Sequence, residues 1–163
     1  MSLIKTLLKE SISTNKYLYH GTNIKNLDDI KQYGLIPDFG DVVKSTEAYE
    51  YYMDDDYYSE EDRIEGLVFF SDTPDTWSYS NHGKPENIDE AILVIVENND
   101  TIFKRVRDKL FDYKNKLVDS VEHLTINELP PFIEDGDFFS LKEQTPVKIL
   151  YGDKLKQFLK NNK

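Results

Sequence analysis

The spacing of apolar and polar positions changes several times along the chain, and each change marks an element. In "AILVIVE", residues 91–97, six apolar positions run without a break, the pattern of a strand covered on both faces. "KYLYH", residues 16–20, reads as a shorter strand. Leu27, Ile30 and Tyr33 then recur at i, i+3 and i+6 and predict a helix over 24–33. Asn23 or Asn26 can cap it, Asp28 and Asp29 suit its first turns, and Gly34 suits its stop. "GLVFFS", residues 66–71, reads as a buried strand. After it, Thr73 as a cap and Pro74 at the first helical position open a short helical segment that ends by Gly83. Phe103, Val106 and Leu110 recur at helical spacing, which predicts a helix starting near Asp100, and a second helix is expected over 117–124. "LPPF" marks a loop, "DFFSLKEQTPVKILYG" one or two strands split at Pro146, and "DKLKQFLK" a short helix. Leu3, Ile4, Leu7 and Leu8 share one helical face, so 1–13 reads as an amphipathic helix. This alternation of isolated strands and helices predicts an α+β domain.

Composition narrows the class. The 163 residues are 39% hydrophobic, with tyrosine and phenylalanine prominent, and suit one packed domain over 1–163. Cysteine is absent, which excludes disulfides and thiolate metal sites. No apolar run reaches membrane-spanning length. "MSLIKTLLKESI" is broken by Lys5, Lys9 and Glu10 and does not resemble a secretion signal, so a cytoplasmic protein is expected. The net charge of −11 repels phosphate backbones and disfavours nucleic acid as a partner. The basic stretch "FKRVRDKLFDYKNK" reads as a solvated helix face. Residues 38–65 have no clean period and are acidic and tyrosine-rich, with Tyr49, Tyr51, Tyr52, Tyr57 and Tyr58, as befits an insertion or lid.

Several short patterns carry no chemistry. "DFG" at 38–40 lacks the other elements that give a kinase its magnesium site. The aspartates at 54–56 lack the glycine and closing glutamate of a calcium loop. Asp119, Ser120 and His123 lie too close along one short segment to align as a hydrolase triad. No metal site is expected.

The three histidines leave His20, at the end of a strand and followed by Gly21 and Thr22, as the one in an informative context. "LYHGT", a helix ending in Gly-Leu, the strand "GLVFF" and a following segment with Tyr79 resemble, in that order, the ADP-ribosyltransferase superfamily. The likeness is to its histidine-first (His-Tyr-Glu) branch, which includes the poly(ADP-ribose) polymerases, and it spans about residues 16–151. It implies a split antiparallel β-sheet core flanked by helices, with NAD as co-substrate. By resemblance His20 hydrogen-bonds a ribose hydroxyl. Gly21 holds the nicotinamide carboxamide through its backbone N–H and C=O, because a planar amide needs a paired donor and acceptor and glycine permits close approach. Thr22 flanks them. Phe69 takes a strand position where the family usually has tyrosine, Tyr79 stacks on nicotinamide, and Ser71 supplies a nearby hydroxyl. Glu143 best matches the glutamate that steadies the ribosyl cation, with Glu97 and Glu134 as rivals. Leu141 stands where arginine-specific relatives carry a second Glu or Gln, and "KYLYH" has no arginine for an arginine-first enzyme.

The resemblance implies an NAD-dependent mono-ADP-ribosyltransferase. Its acceptor is expected to be a protein, one of basic character if the acidic stretch steers it, in the cytoplasm of a cell or of a phage-infected host. The alternatives are a catalytically silent NAD-binding or acidic protein-interaction module, and an NAD glycohydrolase.

Overall fold

In the computed structural model, residues 15–37, 66–74, 88–121, 124–125, 129 and 133–162 are described. The expectations for 1–13, 38–65 and Tyr79 lie outside them. Two helices are found among the described residues, α1 (Leu27–Tyr33) and α2 (Gly152–Asn161), together with antiparallel sheets. The protein is thus α+β.

The long apolar run forms β3 (Ala91–Glu97), in the middle of a sheet with β1 (Tyr17–Asn23) and β10 (Lys148–Tyr151) as its neighbours. Alternation explains why every position in that run but the last is buried. Ile92, Val94 and Val96 face one cluster with Leu18 and Ile30, while Ala91, Leu93 and Ile95 face another with Leu150 and Leu155 of α2. Burying each of the Val, Leu and Ile side chains contributes roughly 1.5–3 kcal/mol.

A second sheet has the order β2-β9-β4-β5-β6, from β2 (Val68–Phe70), β9 (Phe138–Ser140), β4 (Ile102–Val106), β5 (Lys109–Phe111) and β6 (Leu117–Val118). Of the one or two strands expected around Pro146, two are present, β9 and β10, and they lie in different sheets. The helix expected from Asp100 is not: residues 102–111 form the β4–β5 hairpin, turned at Arg107 (φ 57°) and Asp108. The helix expected over 117–124 is also replaced, by β6, β7 (Ser120–Val121) and β8 (Leu124–Thr125), the last two paired with each other. Leu110 packs with Phe139, Ile133 and Leu67 in a third cluster, so sheet packing overrides the apparent helical spacing.

The two large sheets meet at one isolated bridge. Tyr19 N–H donates to Ser71 O at 2.9 Å, and Ser71 N–H donates to Tyr19 O at 2.8 Å. At that bridge β1, which is paired with β3 along its whole length, also touches the residue that follows β2 at the edge of the second sheet.

A buried polar knot fixes the loop between β9 and β10. Gln144, 4% exposed, donates from Nε2 to Thr101 Oγ1 at 2.7 Å and accepts at Oε1 from Asn99 Nδ2 at 2.8 Å. Its backbone exchanges hydrogen bonds with Leu35 just beyond α1.

Candidate functional site

The pairing pattern shows where β1 and β2 part. Tyr19 turns its N–H and C=O toward Ser71, and in an antiparallel ladder these directions alternate along the strand. The N–H and C=O of Gly21 therefore point to the same side, away from β3. A continued ladder would pair them with Phe69, but the bridge stops at Tyr19–Ser71. Phe69 O instead accepts from His20 Nδ1 at 2.7 Å. The carbonyl that the next rung would give to Gly21 N–H is thus taken by the imidazole, and among the described residues no hydrogen bond reaches Gly21 from that side.

That bond also sets the histidine's chemistry. A carbonyl only accepts, so Nδ1 carries the proton and Nε2 presents its lone pair. Burial of the ring holds the pKa below the ordinary imidazole value, outweighing the opposing effect of the Phe69 bond. His20 is accordingly neutral at pH 7. Phe70 meets its ring edge-on with centroids 6.0 Å apart.

The sign of the pH dependence follows. An unfolded imidazole takes up a proton near pH 6.5, whereas the folded one resists until lower pH. The stabilisation is complete above that unfolded value and is lost as pH falls through the folded pKa. Urea midpoints measured between pH 7.5 and 5.5 are expected to fall for the wild type and to fall less for His20→Gln.

Each flanking residue has a local role. Asn23 Oδ1 accepts from Lys25 N–H at 2.9 Å and caps the 3-10 turn Ile24–Asn26 that leads into α1. Asn26 makes no side-chain cap and donates to Thr22 Oγ1 at 2.9 Å. Ser71 Oγ accepts from Thr73 N–H at 3.1 Å in a local turn, and Pro74, directly after Thr73, is the first helical residue as expected. The Phe69 ring packs in the cluster around Phe139, and its carbonyl is the group that meets His20.

His20, Gly21, Thr22, Phe69 and Ser71 thus converge where the two strands part. Glu143 does not join them: it is exposed in the β9–β10 loop, and among the described residues no hydrogen bond or ion pair ties it to them. Tyr79 lies outside the described residues.

Sequence reasoning missed Asp137. The row Phe70–Phe138 of the β2–β9 ladder puts Asp137 one step further, level with Ser71. Its Oδ2 accepts from Glu134 N–H at 2.7 Å. Burial raises its pKa, aided by the Glu134 charge and opposed by the Glu134 N–H and by Arg105. The only signal in the sequence is an acidic residue directly before "FFS". The rivals Glu97 and Glu134 are exposed, Glu97 at the end of β3 nearest Tyr17 and Glu134 in the turn that Asp137 closes.

The arrangement offers a backbone donor and acceptor side by side and a neutral imidazole acceptor one residue away. Such a set can hold a planar amide and an adjacent hydroxyl. Among the described residues, no group of three or more His, Asp or Glu side chains could hold a metal, and no helix is long and apolar enough to cross a membrane. No family model, curated protein or solved structure matches the chain.

Proposed function

We propose that the chain is an NAD-dependent mono-ADP-ribosyltransferase with a split-sheet core, acting on a protein acceptor. One observation carries this reading: the Gly21 N–H and C=O are turned toward Phe69 without a partner among the described residues, while the adjacent His20, held through Nδ1, keeps Nε2 as an acceptor. The first pair matches a carboxamide, which needs one donor and one acceptor in a plane. The second matches a ribose hydroxyl. With the nicotinamide end held there, the bond between the ring nitrogen and the ribose carbon breaks. Its electron pair goes to the departing nicotinamide, and a nucleophile of the acceptor closes on the positively charged ribose carbon from the opposite face. Tyr79 is assigned the stacking role by resemblance.

The anionic role has two claimants. Glu143 has the matching residue type and order in the sequence. Asp137 is half-buried and level with Ser71 in strand register, although its carboxylate also accepts from Glu134 N–H in the turn it closes, and a carboxylate stabilises a developing cation best where water is excluded. If neither acts, the chain is an NAD-binding module without transfer, a reading that the exposure of Glu143 favours.

Incubation with labelled NAD and a cell lysate separates these readings. Label on a protein, lost in Glu143→Gln or in Asp137→Asn, supports transfer and names the carboxylate. Free nicotinamide without labelled protein means a glycohydrolase. A melting temperature raised by NAD with neither product means a silent module. No shift at all overturns the NAD reading.

A further inference from the structure

A second feature lies on the far edge of the first sheet. Among the described residues nothing pairs with the outer side of β10, the last strand in its order. Beside that edge is a cavity of about 660 Å³ between α1 and the start of α2. Ile30, Ile149 and Tyr151 line it, with Lys31, Lys148 and Lys154 around them. Asp153 is the one carboxylate in the lining. In a chain of net charge −11, this is a local reversal of sign.

The backbone of the edge is oriented for pairing. Val147 N–H donates to Ile95 O at 2.8 Å while Lys148 also stands opposite Ile95, so two residues share one partner in a bulge at the strand's start. Ile92 and Val94 direct their backbone groups toward β1, which leaves those of Leu93 and Ile95 for Leu150 and Lys148. The N–H and C=O of Ile149 and the N–H of Tyr151 therefore face outward. Tyr151 is 40% exposed and Val147 53%, so the edge also presents apolar surface. Lys31 Nζ lies 5.4 Å from the Tyr151 ring centroid, which keeps one cation at the mouth of the groove.

We propose that this groove is a docking site for an acidic peptide of a partner protein, which adds as an extended strand to the outer edge of β10. Strand addition uses alternating backbone donors and acceptors for affinity and every second side chain for selectivity. The outward Ile149 supplies the first, and the lysines supply the second. A single-stranded nucleic acid would meet the lysines but has no backbone to pair with Ile149, so the peptide is favoured. The site is independent of NAD: its occupant can bind whether or not the chain transfers ADP-ribose.

The test is fluorescence anisotropy on the full chain with a labelled peptide of about eight residues, alternating Glu and Val. Saturable binding is expected, with slowed amide exchange at Ile149. Lys148→Glu together with Lys154→Glu alters exposed side chains and is expected to weaken binding about tenfold or more, with an unchanged melting temperature. The same peptide N-methylated at alternate residues is expected to lose binding while keeping its charge. Equal binding by the N-methylated peptide, no binding of the acidic peptide, or preference for an oligothymidine of similar length would each overturn the proposal.

Discussion

His20→Ala is expected to let β1 and β2 close by one rung. The imidazole now donates from Nδ1 to Phe69 O at 2.7 Å, the carbonyl with which Gly21 N–H would otherwise pair. Without the ring, the carbonyl loses a half-buried donor, and the N–H that the ladder would bring to it is that of Gly21. Amide exchange at Gly21 should slow, which is the reverse of the usual result of deleting a side chain. If the NAD reading holds, the closed gap no longer admits the carboxamide and the hydroxyl acceptor is gone. NAD affinity is then expected to fall at least about tenfold and nicotinamide release on the order of a hundredfold, the scale of losing one aligned polar group from a reacting site. Unaltered NAD binding in a folded His20→Ala protein would show that the gap is not the nicotinamide site. Faster exchange at Gly21 would show that the ring does not act as a spacer.

The second large effect is on stability. Gly34 stops α1 with φ of 80°, and its N–H donates to Ile30 O at 2.9 Å. A Cβ at this position would sit 2.7 Å from Gln144 O, a backbone atom already engaged by Leu35 N–H at 2.8 Å. Neither partner can yield without breaking the pairing of Leu35 with Gln144. Gly34→Ala is therefore expected to lower stability by about 2–4 kcal/mol, combining left-handed strain with a steric clash. Gly136→Ala provides the comparison, because Gly136 has φ of 92° but nothing within 4 Å of its would-be Cβ. Strain alone there is expected to be worth about 1 kcal/mol. Urea midpoints for the two variants would separate strain from clash, and equal losses would refute the close contact. Gly34→Ala should also speed exchange in the loop carrying Glu143.

The elements most legible in the sequence are those whose local pattern agrees with their tertiary setting. β3 coincides with its apolar run because both of its faces are covered, and α1 with the spacing of Leu27, Ile30 and Tyr33. The β4–β5 hairpin was illegible for a physical reason. Phe103, Val106 and Leu110 fit a helix by spacing, while the turn between the strands is made by Arg107 in a left-handed conformation with no glycine to announce it. Its support is distant, since Arg107 N–H donates to Asp135 Oδ1 at 2.8 Å. At the site, "LYHGT" pointed to His20 and Gly21, which do adjoin the gap between the strands. No local pattern could reveal that a main-chain oxygen 49 residues away holds the imidazole. Nor could any pattern level Asp137 with Ser71, because strand register across distant segments sets that position.

The central place of β3 also shapes how the chain acquires its structure. β3 pairs on one side with residues 17–23 and on the other with 148–151, and β2 and β4 both wait for β9 at 138–140. During synthesis β1 and β3 can meet early, yet the outer rung and the join within the second sheet must await strands made much later. Such long-range pairing closes large loops before contacts repay the lost entropy, which places folding in the slower, millisecond-to-second range. Until β10 arrives, one edge of β3, the most apolar strand among the described residues, stands open to other chains, so the interval before β10 is made is when this polypeptide is most exposed to aggregation.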